Sequence, residues 1–306
     1  MNSFILNKEN YFQEDKIKKK QMDIGIVGAS GYIGQQLFRR FQQENIYVRG
    51  TYHQHVIPGF FHLDLLHPDF SFLDKPTPLT HVIISSAANA SLDKTAESWE
   101  ESYNTNCLGV KKLIEECFQR GIMPIYFSSD GIFDGVKGNY IETDMRNPIN
   151  KYGLIKKEVE DLLFASGKNF LIIRMSRVFD TDNQNSNLLL DLKRRLQSEE
   201  KLREAVDQWF TLIHIDDLFF FIISLLDKKC TGVYHLASLP RISRFDLADA
   251  IKQFFGFDRA VLIPAKINFF NFKERRPLDT SLNIGKVQSV TGFRLKTLDF
   301  FLEKMR

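Results

Sequence analysis

Three glycines follow a short apolar run near the start of the chain, and this loop constrains the fold more than any other feature. The run Asp23–Val27 predicts a strand, Gly28, Gly31 and Gly34 form the loop, and residues 32–43 have the apolar spacing of a helix. At a strand–helix turn, such glycines allow a tight turn, a close approach of pyrophosphate and close helix–strand packing. The start of the helix then offers unpaired N–H groups to phosphates. The loop therefore predicts dinucleotide binding, with a purely structural turn as the alternative.

Predicted strands and helices alternate as far as about residue 178. The predicted strands are residues 23–27, 46–52, 81–85, 122–128 and 170–175, and the predicted helices are 32–43, 97–119 and 150–166. This alternation predicts an α/β fold of the Rossmann type, with a doubly wound parallel sheet covered by helices on both faces.

The regularity weakens after residue 178, which predicts a second, smaller unit. Helices are predicted at 188–196, 216–226 and 244–255, and a strand at 232–236. We therefore expect an N-terminal tail (1–21), an NAD(P)-binding domain (22–178) and a mainly substrate-binding, mixed α/β lobe (179–306). Some segments of that lobe, such as 210–237, are expected to return to the first domain.

Length and composition exclude several classes of protein. The chain has 306 residues, 43% of them hydrophobic and 26% charged, which is typical of a globular protein. A net charge of +3 is too small to indicate nucleic acid or an anionic membrane as the main partner. No apolar stretch reaches the roughly 20 residues that span a bilayer, and residues 1–21 do not resemble a secretory signal. Cys107, Cys117 and Cys230 cannot form a disulfide framework, so a cytoplasmic location is expected.

The histidines give no indication of a metal site. His53, His55, His62 and His67 are close in sequence, but no acidic or thiol partners accompany them in a regular ligand spacing. We therefore predict no metal and interpret these residues as loop and strand-end histidines.

A tyrosine and a lysine lie four residues apart in the predicted helix 150–166. Tyr152 and Lys156 would share one helix face. A lysine charge about 4 Å away, at an effective dielectric of about 20, would lower the phenol pKa by roughly 3 units. Ser129 follows a predicted strand, at the sheet edge where ligands bind in α/β folds, and could hold a substrate oxygen for proton transfer. Ser129, Tyr152 and Lys156 are therefore the candidate catalytic residues, although Ser129 taken alone is better explained as a strand-end or turn hydroxyl.

Together these residues resemble the extended short-chain dehydrogenase/reductases, and within them the dTDP-4-dehydrorhamnose reductase family of nucleotide-sugar reductases. The resemblance extends from about residue 22 to the C-terminus. Besides the glycine loop and the Tyr–Lys pair, the matching motifs are Asp64-Leu65, Ala87-Ala88, Leu92-Asp93-Lys94 with Glu97, Asn106 with Gly109, Ser128-Ser129-Asp130, Phe133-Asp134-Gly135, residues 148–156 and 174–179, Asp207-Gln208, and Arg275-Arg276-Pro277 with Leu282.

The resemblance implies a role for each matching position. Tyr152 would protonate the C4 carbonyl oxygen of a nucleotide-activated 4-ketosugar as hydride arrives from NAD(P)H, and Ser129 would hydrogen-bond that oxygen. Lys156 would also bind the nicotinamide ribose, and Asp130 and Arg177 would contact the substrate. The remaining cofactor contacts that we expect are Gly28, Ser30, Gly31, Tyr32, Ile33, Gly34, Thr51, His53, Asp64, Leu65, Ala87, Ala88 and Asn106.

The residues after the second predicted strand bear on the choice of cofactor. NAD sites usually place an acid there to accept the ribose 2′-OH, but residues 49–53 (RGTYH) contain none. Arg49 and His53 could instead face a 2′-phosphate, so NADP(H) is favoured over NAD(H). The alternative is that Arg49 is an ordinary strand residue.

Three departures from the family leave other functions open. Gly131 stands where members often have an aromatic residue, Arg177 where many have tryptophan, and residues 210–218 look more like the epimerase pattern. Because Asp130 is followed by Gly131 and not by an acid, dehydration is disfavoured. A nucleotide-sugar epimerase and a non-catalytic, cofactor-binding regulatory subunit stay open, as does a homodimer.

Overall fold

The structure is a computed structural model that describes residues 22–85, 91–182, 187–198 and 201–306. The strands are β1 (Asp23–Val27), β2 (Tyr47–Tyr52), β3 (Phe61–His62), β4 (His81–Ile84), β5 (Met123–Ser129), β6 (Leu171–Met175), β7 (Arg177–Phe179), β8 (Lys201–Ala205), β9 (Trp209–His214), β10 (Gly232–His235), β11 (Leu239–Ser243) and β12 (Val261–Ala265). The helices are α1 (Tyr32–Gln43), α2 (Leu92–Glu97), α3 (Trp99–Tyr103), α4 (Val110–Gln119), α5 (Lys151–Ala165), α6 (Leu188–Gln197), α7 (Ile215–Asp227), α8 (Arg244–Phe255), α9 (Gly285–Thr291) and α10 (Leu298–Glu303).

A seven-stranded parallel sheet forms the centre of the molecule. Its strand order is β10-β6-β5-β4-β1-β2-β3. The order reverses direction at β1, and in such sheets ligands bind beyond the carboxyl ends of the strands at that point. This arrangement confirms the predicted α/β fold of the Rossmann type. The strand β10 reaches this sheet after the chain has already passed through β7, β8 and β9.

Helices cover both faces of the sheet, and each face has its own apolar core. Ile83 of β4 packs in one core with Leu37 of α1 and residues of α7. Its neighbour Val82 packs in the other core with Leu113 of α4 and Val159 of α5. Successive strand residues point to opposite faces, so the continuous apolar run of β4 supplies both cores.

A smaller unit forms beside the carboxyl edge of the sheet. The order β11-β9-β7 gives a three-stranded sheet, and β8 pairs with β12. The helices α6, α8 and α10 contribute to a third core that includes Phe179, Leu247 and Phe301.

The long helix predicted at 97–119 is wrong in detail, because this segment contains three helices and a π-helical turn. The first helix, α2, begins earlier, after Ser91, whose side chain accepts a hydrogen bond from the Lys94 N–H. Ser98 leaves the helical conformation, with φ −110° and ψ 51°, and separates α2 from α3. The π-helical turn Asn104–Gly109 then leads into α4. The apolar spacing did not reveal these interruptions, because it reports which side chains are apolar and not the backbone conformation at Ser98 or in the π-helical turn.

Candidate active site

The glycine loop joins β1 closely to α1. Gly28 has φ +79°, a conformation that side chains disfavour. A Cβ atom at Gly34 would lie 2.3 Å from the Gly28 carbonyl oxygen, so only glycine permits this approach of helix to strand. The loop is fixed to β2 by a 3.2 Å hydrogen bond from the Gly28 N–H to Thr51 Oγ1.

The first turn of α1 has the features of a phosphate site. Gly31 precedes the helix without a side-chain cap, and the first turn contains no acidic residue. Its N–H groups are therefore free of side-chain competition for an anion. Ser30 is half-buried, and Ile33 packs against the core. The Tyr32 hydroxyl donates a 2.8 Å hydrogen bond to Asp180. The uncapped first turn of α1, without an acidic residue, is what suits this loop to a dinucleotide diphosphate.

Other predicted cofactor residues lie near the carboxyl ends of β2 and β3. His53 is exposed, and its Nε2 lies 3.9 Å from Asp64 Oδ1. Leu65 is buried against Gly109, where a Cβ atom would lie 2.6 Å from the Leu65 carbonyl oxygen. Asn106 belongs to the π-helical turn that packs here. Ala87 and Ala88 lie outside the described residues.

The proposed role of Arg49 in binding a 2′-phosphate is wrong. Its side chain is only 4% exposed. Its guanidinium donates hydrogen bonds to the carbonyl oxygens of Phe72, Lys75 and Thr77. Arg49 therefore stabilises this loop and is not available to a cofactor.

Ser129, Asp130, Tyr152 and Arg177 line a single cleft. The cleft encloses about 700 Å³ of space, part of it continuous with bulk solvent. Its other lining residues are Leu92, Gly131, Asn150, Ser176, Gln208, Phe210, Pro277 and Thr280. Because β5 and β6 are in register, with Ser129 opposite Met175, the residues that follow both strands meet at this edge of the sheet.

Local packing sets the position of Tyr152. The helix α5 begins after Asn150, whose side chain accepts a 2.8 Å hydrogen bond from the Gly153 N–H. A Cβ atom at Gly153 would lie 2.0 Å from the Gly131 carbonyl oxygen, so α5 lies directly on the loop after β5. This contact brings the tyrosine ring beside Ser129.

The pKa of Tyr152 departs from the sequence-based expectation. Burial raises its pKa to about 12, against an opposing effect of its hydrogen bond with Ser129. The predicted lowering by Lys156 is not seen, because the Lys156 ammonium lies 5.7 Å from the tyrosine ring centroid and burial dominates. Tyr152 is therefore protonated at neutral pH and can act as a proton donor.

Lys156 lies one turn further along α5 and is held in place by two contacts. Its Nζ donates a 2.9 Å hydrogen bond to the Phe127 carbonyl oxygen and lies 4.8 Å from the Tyr126 ring centroid. Burial lowers its pKa to about 8, while the carboxylate of Glu160 acts in the opposite direction. The ammonium also lies 5.7 Å from the centroid of the Tyr152 ring.

Asp130 connects the loop after β5 to the C-terminal part of the chain. One carboxylate oxygen accepts a 3.0 Å hydrogen bond from the Ser129 hydroxyl, and the other accepts one from Thr280. Burial raises the pKa of Asp130, and these hydroxyls oppose the rise. Thr280 was not predicted from the sequence. The nearest signals were the motif Arg275-Arg276-Pro277, three residues upstream, and Leu282, two residues downstream.

Two further features concern the described parts of the chain. No three His, Cys, Asp or Glu side chains gather there in a way that could hold a metal ion. Within the same ranges, no helix is long and apolar enough to cross a membrane.

Residues 22–305 match the family model described as the RmlD substrate binding domain. The chain belongs to this family. The match covers both the parallel sheet and the smaller unit, and it confirms the resemblance inferred from the motifs.

Curated relatives of this chain include an enzyme and a subunit of an enzyme. A dTDP-4-dehydrorhamnose reductase of Aggregatibacter actinomycetemcomitans is 27% identical over 288 residues, covering 88% of this chain and 93% of the relative. The methionine adenosyltransferase 2 subunit beta of Bos taurus is 24% identical over 265 residues, covering 82% of this chain and 77% of the relative.

Solved structures share the fold over nearly the whole chain. A hypothetical dTDP-4-dehydrorhamnose reductase from Sulfolobus tokodaii has a TM-score of 0.80 and 30% identity, covering 93% of this chain and 100% of that one. The reductase of Bacillus anthracis, solved in complex with NADP, has a TM-score of 0.78 and 21% identity, with 94% and 98% covered. The enzyme WbmG of Bordetella bronchiseptica, solved with NAD, has a TM-score of 0.76 and 17% identity, with 94% of each chain covered. Of these neighbours, one was solved with NADP and another with NAD.

Proposed function

We propose that this protein is an NAD(P)H-dependent reductase of a nucleotide-activated 4-ketosugar, of the extended short-chain dehydrogenase/reductase type. The observation that carries the proposal is the meeting of Ser129 and Tyr152 in one cleft, with Lys156 one turn further along α5. Similarity to dTDP-4-dehydrorhamnose reductases along most of the chain supports the substrate class. The homodimer, the cytoplasmic location and the domain boundaries near residue 178 stay predictions.

The cleft residues have the properties that a carbonyl reduction needs. Bound NAD(P)H would supply a hydride to the carbonyl carbon. Tyr152 would give its phenolic proton to the carbonyl oxygen, since its raised pKa keeps it protonated at neutral pH. The Ser129 hydroxyl, which donates to Asp130 in this structure, would rotate to donate its hydrogen bond to the same oxygen and hold it beside the phenol, while Thr280 still donates to Asp130. The ammonium of Lys156 would stabilise the phenolate that remains, so the carbonyl becomes an alcohol and the tyrosine is reprotonated from solvent.

The decisive experiment measures NADPH oxidation with a panel of nucleotide-linked 4-ketosugars. We expect turnover with at least one member of the panel. In Tyr152→Phe, turnover should fall by about 10²- to 10⁴-fold because the proton donor is lost, while the thermal shift caused by NADPH is retained. Tyr47→Phe is a matched control, because Tyr47 is exposed on β2, which is separated from β5 by two strands of the sheet. Full turnover in Tyr152→Phe would contradict the catalytic assignment.

We propose that the cofactor is NADP(H) and not NAD(H). Since Arg49 is not available, this proposal is based on His53 and on the lack of an acidic residue at the end of β2. His53 is exposed at the expected position for a 2′-phosphate. We expect NADPH to raise the melting temperature more than NADH does, and His53→Asp to reverse that order by offering a carboxylate to the 2′-OH. A wild-type protein that prefers NADH would refute the proposal.

A regulatory subunit is the second candidate, because several curated relatives are the beta subunit of methionine adenosyltransferase 2. The presence of Ser129, Tyr152 and Lys156 in one arrangement favours the enzyme. Cofactor binding without turnover across the whole panel would favour the subunit, or an epimerase that retains its cofactor.

A further inference from the structure

Arg177 lies in the cleft close to the proposed reacting groups. It is the first residue of β7 and follows Met175, the residue opposite Ser129 in the sheet, by two positions. Its guanidinium lies over Phe210, 5.5 Å from the ring centroid. Its side chain is exposed to the cleft, and Asp130 is the other charged residue among those that line it.

The arginines that act electrostatically on Arg177 have carboxylate partners of their own. Arg244 donates to Glu204 at 2.7 Å, and Arg276 donates to Asp93 at 2.7 Å. Arg177 forms no hydrogen bond or ion pair with the residues in the described ranges, and its guanidinium packs on the ring of Phe210.

The carboxylate of Asp130 is already occupied by neutral donors. Its two oxygens accept hydrogen bonds from the hydroxyls of Ser129 and Thr280. Asp130 therefore acts on the charge of Arg177 only through space, and it occupies none of the guanidinium N–H donors. The guanidinium keeps five N–H donors for a group that enters the cleft, and a planar carboxylate matches this fork with two parallel hydrogen bonds.

Gly131 leaves space on the side of the cleft where Tyr152 lies. A Cβ atom there would lie 3.4 Å from Ser129 Oγ and 3.6 Å from the Tyr152 ring, which are ordinary contacts. The backbone of Gly131 is not in the left-handed region, so neither crowding nor backbone conformation requires glycine. The absence of a side chain widens the cleft next to the reacting position.

We propose that Arg177 binds a carboxylate carried by the sugar of the substrate, and that Gly131 leaves room for this substituent beside Tyr152. The inference rests on the proposed function and names its substrate class, a nucleotide-linked keto sugar acid. A UDP- or dTDP-linked sugar also carries a second anionic group, its diphosphate. The diphosphate is attached at C1, across the ring from the reacting C4. Arg177 lies beside Asp130 and Ser129, near the reacting carbon, and this position favours the carboxylate.

The test compares acidic with neutral probes by calorimetry on the full chain saturated with NADP⁺. The probes are UDP-glucuronic acid and UDP-glucose, together with the corresponding dTDP-linked pair and UDP without a sugar. With one of the two nucleotides, we expect the acidic sugar to bind at least about tenfold more tightly than the neutral sugar. This is the increase in affinity expected from a hydrogen bond between charged groups. Arg177→Gln should bring this ratio close to one, and Arg177→Lys should retain part of it. Arg194→Gln is the matched control, because Arg194 is 66% exposed on α6, and it should keep the ratio.

A second variant tests the space beside Tyr152. Gly131→Phe should fill the space proposed for the sugar carboxylate. It should therefore lower the ratio of the affinities for the acidic and the neutral sugar, although Arg177 is still present. Equal binding of the two sugars by the wild-type protein would overturn the inference alone. An equal loss of UDP, UDP-glucose and UDP-glucuronic acid binding in Arg177→Gln would also overturn it, because Arg177 would then serve the diphosphate. No binding of any probe while NADP⁺ still binds would also overturn the inference, whereas the absence of NADPH oxidation across the 4-ketosugar panel would refute the proposed function.

Discussion

The charge of Lys156 is subject to two opposing influences. Burial lowers its pKa to about 8, and the carboxylate of Glu160 limits this decrease. The pKa of Tyr152 is raised to about 12, so the tyrosine keeps its proton through the range in which Lys156 loses its own. A loss of activity near pH 8 would therefore report the lysine and not the tyrosine.

We predict that kcat/KM for the reduction falls as the pH rises through about 8, because the deprotonated lysine no longer stabilises a phenolate. Initial rates between about pH 6 and pH 10 measure this limb in the free enzyme. In Lys156→Arg, the side chain stays charged, so the limb should move to higher pH even if the rate is lower. An unchanged limb in Lys156→Arg would assign the ionisation to another group.

Residue types alone did not determine which arginine meets a ligand. Arg49 follows the pattern of a phosphate-binding residue, yet three carbonyl oxygens of a distant loop surround its guanidinium. Arg177 could be named as a substrate contact only from the family resemblance. The difference arises from tertiary packing, which brings the carbonyls of residues 72–77 onto β2 and which local sequence does not encode.

Elements with strong local signals were predicted with accurate bounds. The helix α8 was expected at residues 244–255 and is found there, because Ser243 caps its start and Gly256 ends it in the left-handed conformation. The pairing of β7, β9 and β11 was not predicted, because these strands are short and their partners lie far apart in sequence. The bond between Asp130 and Thr280 spans 150 residues and depends on that pairing.

The contact of α5 with the loop after β5 can be tested with two glycines. Glycine-to-alanine changes within helices usually stabilise by about 0.5–1 kcal/mol. We predict the opposite for Gly153→Ala, because its Cβ would lie 2.0 Å from the Gly131 carbonyl oxygen. The strain should cost about 1–3 kcal/mol and lower the melting temperature by roughly 2–10 °C. Gly131→Ala is the control, since its Cβ would make only ordinary contacts. A normal melting temperature in Gly153→Ala would mean that the helix can move away without cost.

His214 connects several parts of the whole molecule. It ends β9 and caps α7, where its Nδ1 accepts a 3.2 Å hydrogen bond from the Asp216 N–H. Its ring stacks on Phe301 of α10, with centroids 5.0 Å apart, and meets Phe179 of β7 edge-on. The side chain is 3% exposed, and its Nε2 has no hydrogen-bond partner among the residues described here. Protonation would both charge a buried ring and remove the acceptor that caps α7.

Burial lowers the pKa of His214 to about 4, with Asp216 opposing the decrease and Lys304 and Arg40 adding to it. The unfolded chain, with a pKa near 6.5, binds this proton at a pH where the folded protein does not. Stability from neutral His214 is therefore complete above about pH 6.5 and is lost as the pH falls towards 4. The loss between pH 7 and pH 5 should be about 2 kcal/mol.

We predict that His214→Asn makes the decline in unfolding free energy between pH 7 and pH 5 shallower by about that amount. Asparagine retains a side-chain oxygen that can cap α7 but does not titrate, so the pH dependence is separated from the loss of the cap. Urea unfolding at the two pH values gives the difference, whatever the absolute stability of the variant.

His67→Asn is the control, because His67 is exposed and its replacement should leave the decline as it is in the wild type. His235, whose pKa is lowered to about 3 by burial, should keep part of the acid sensitivity in both variants. A decline in His214→Asn as steep as that of His67→Asn would show that protonation of this ring does not limit the acid stability of the fold.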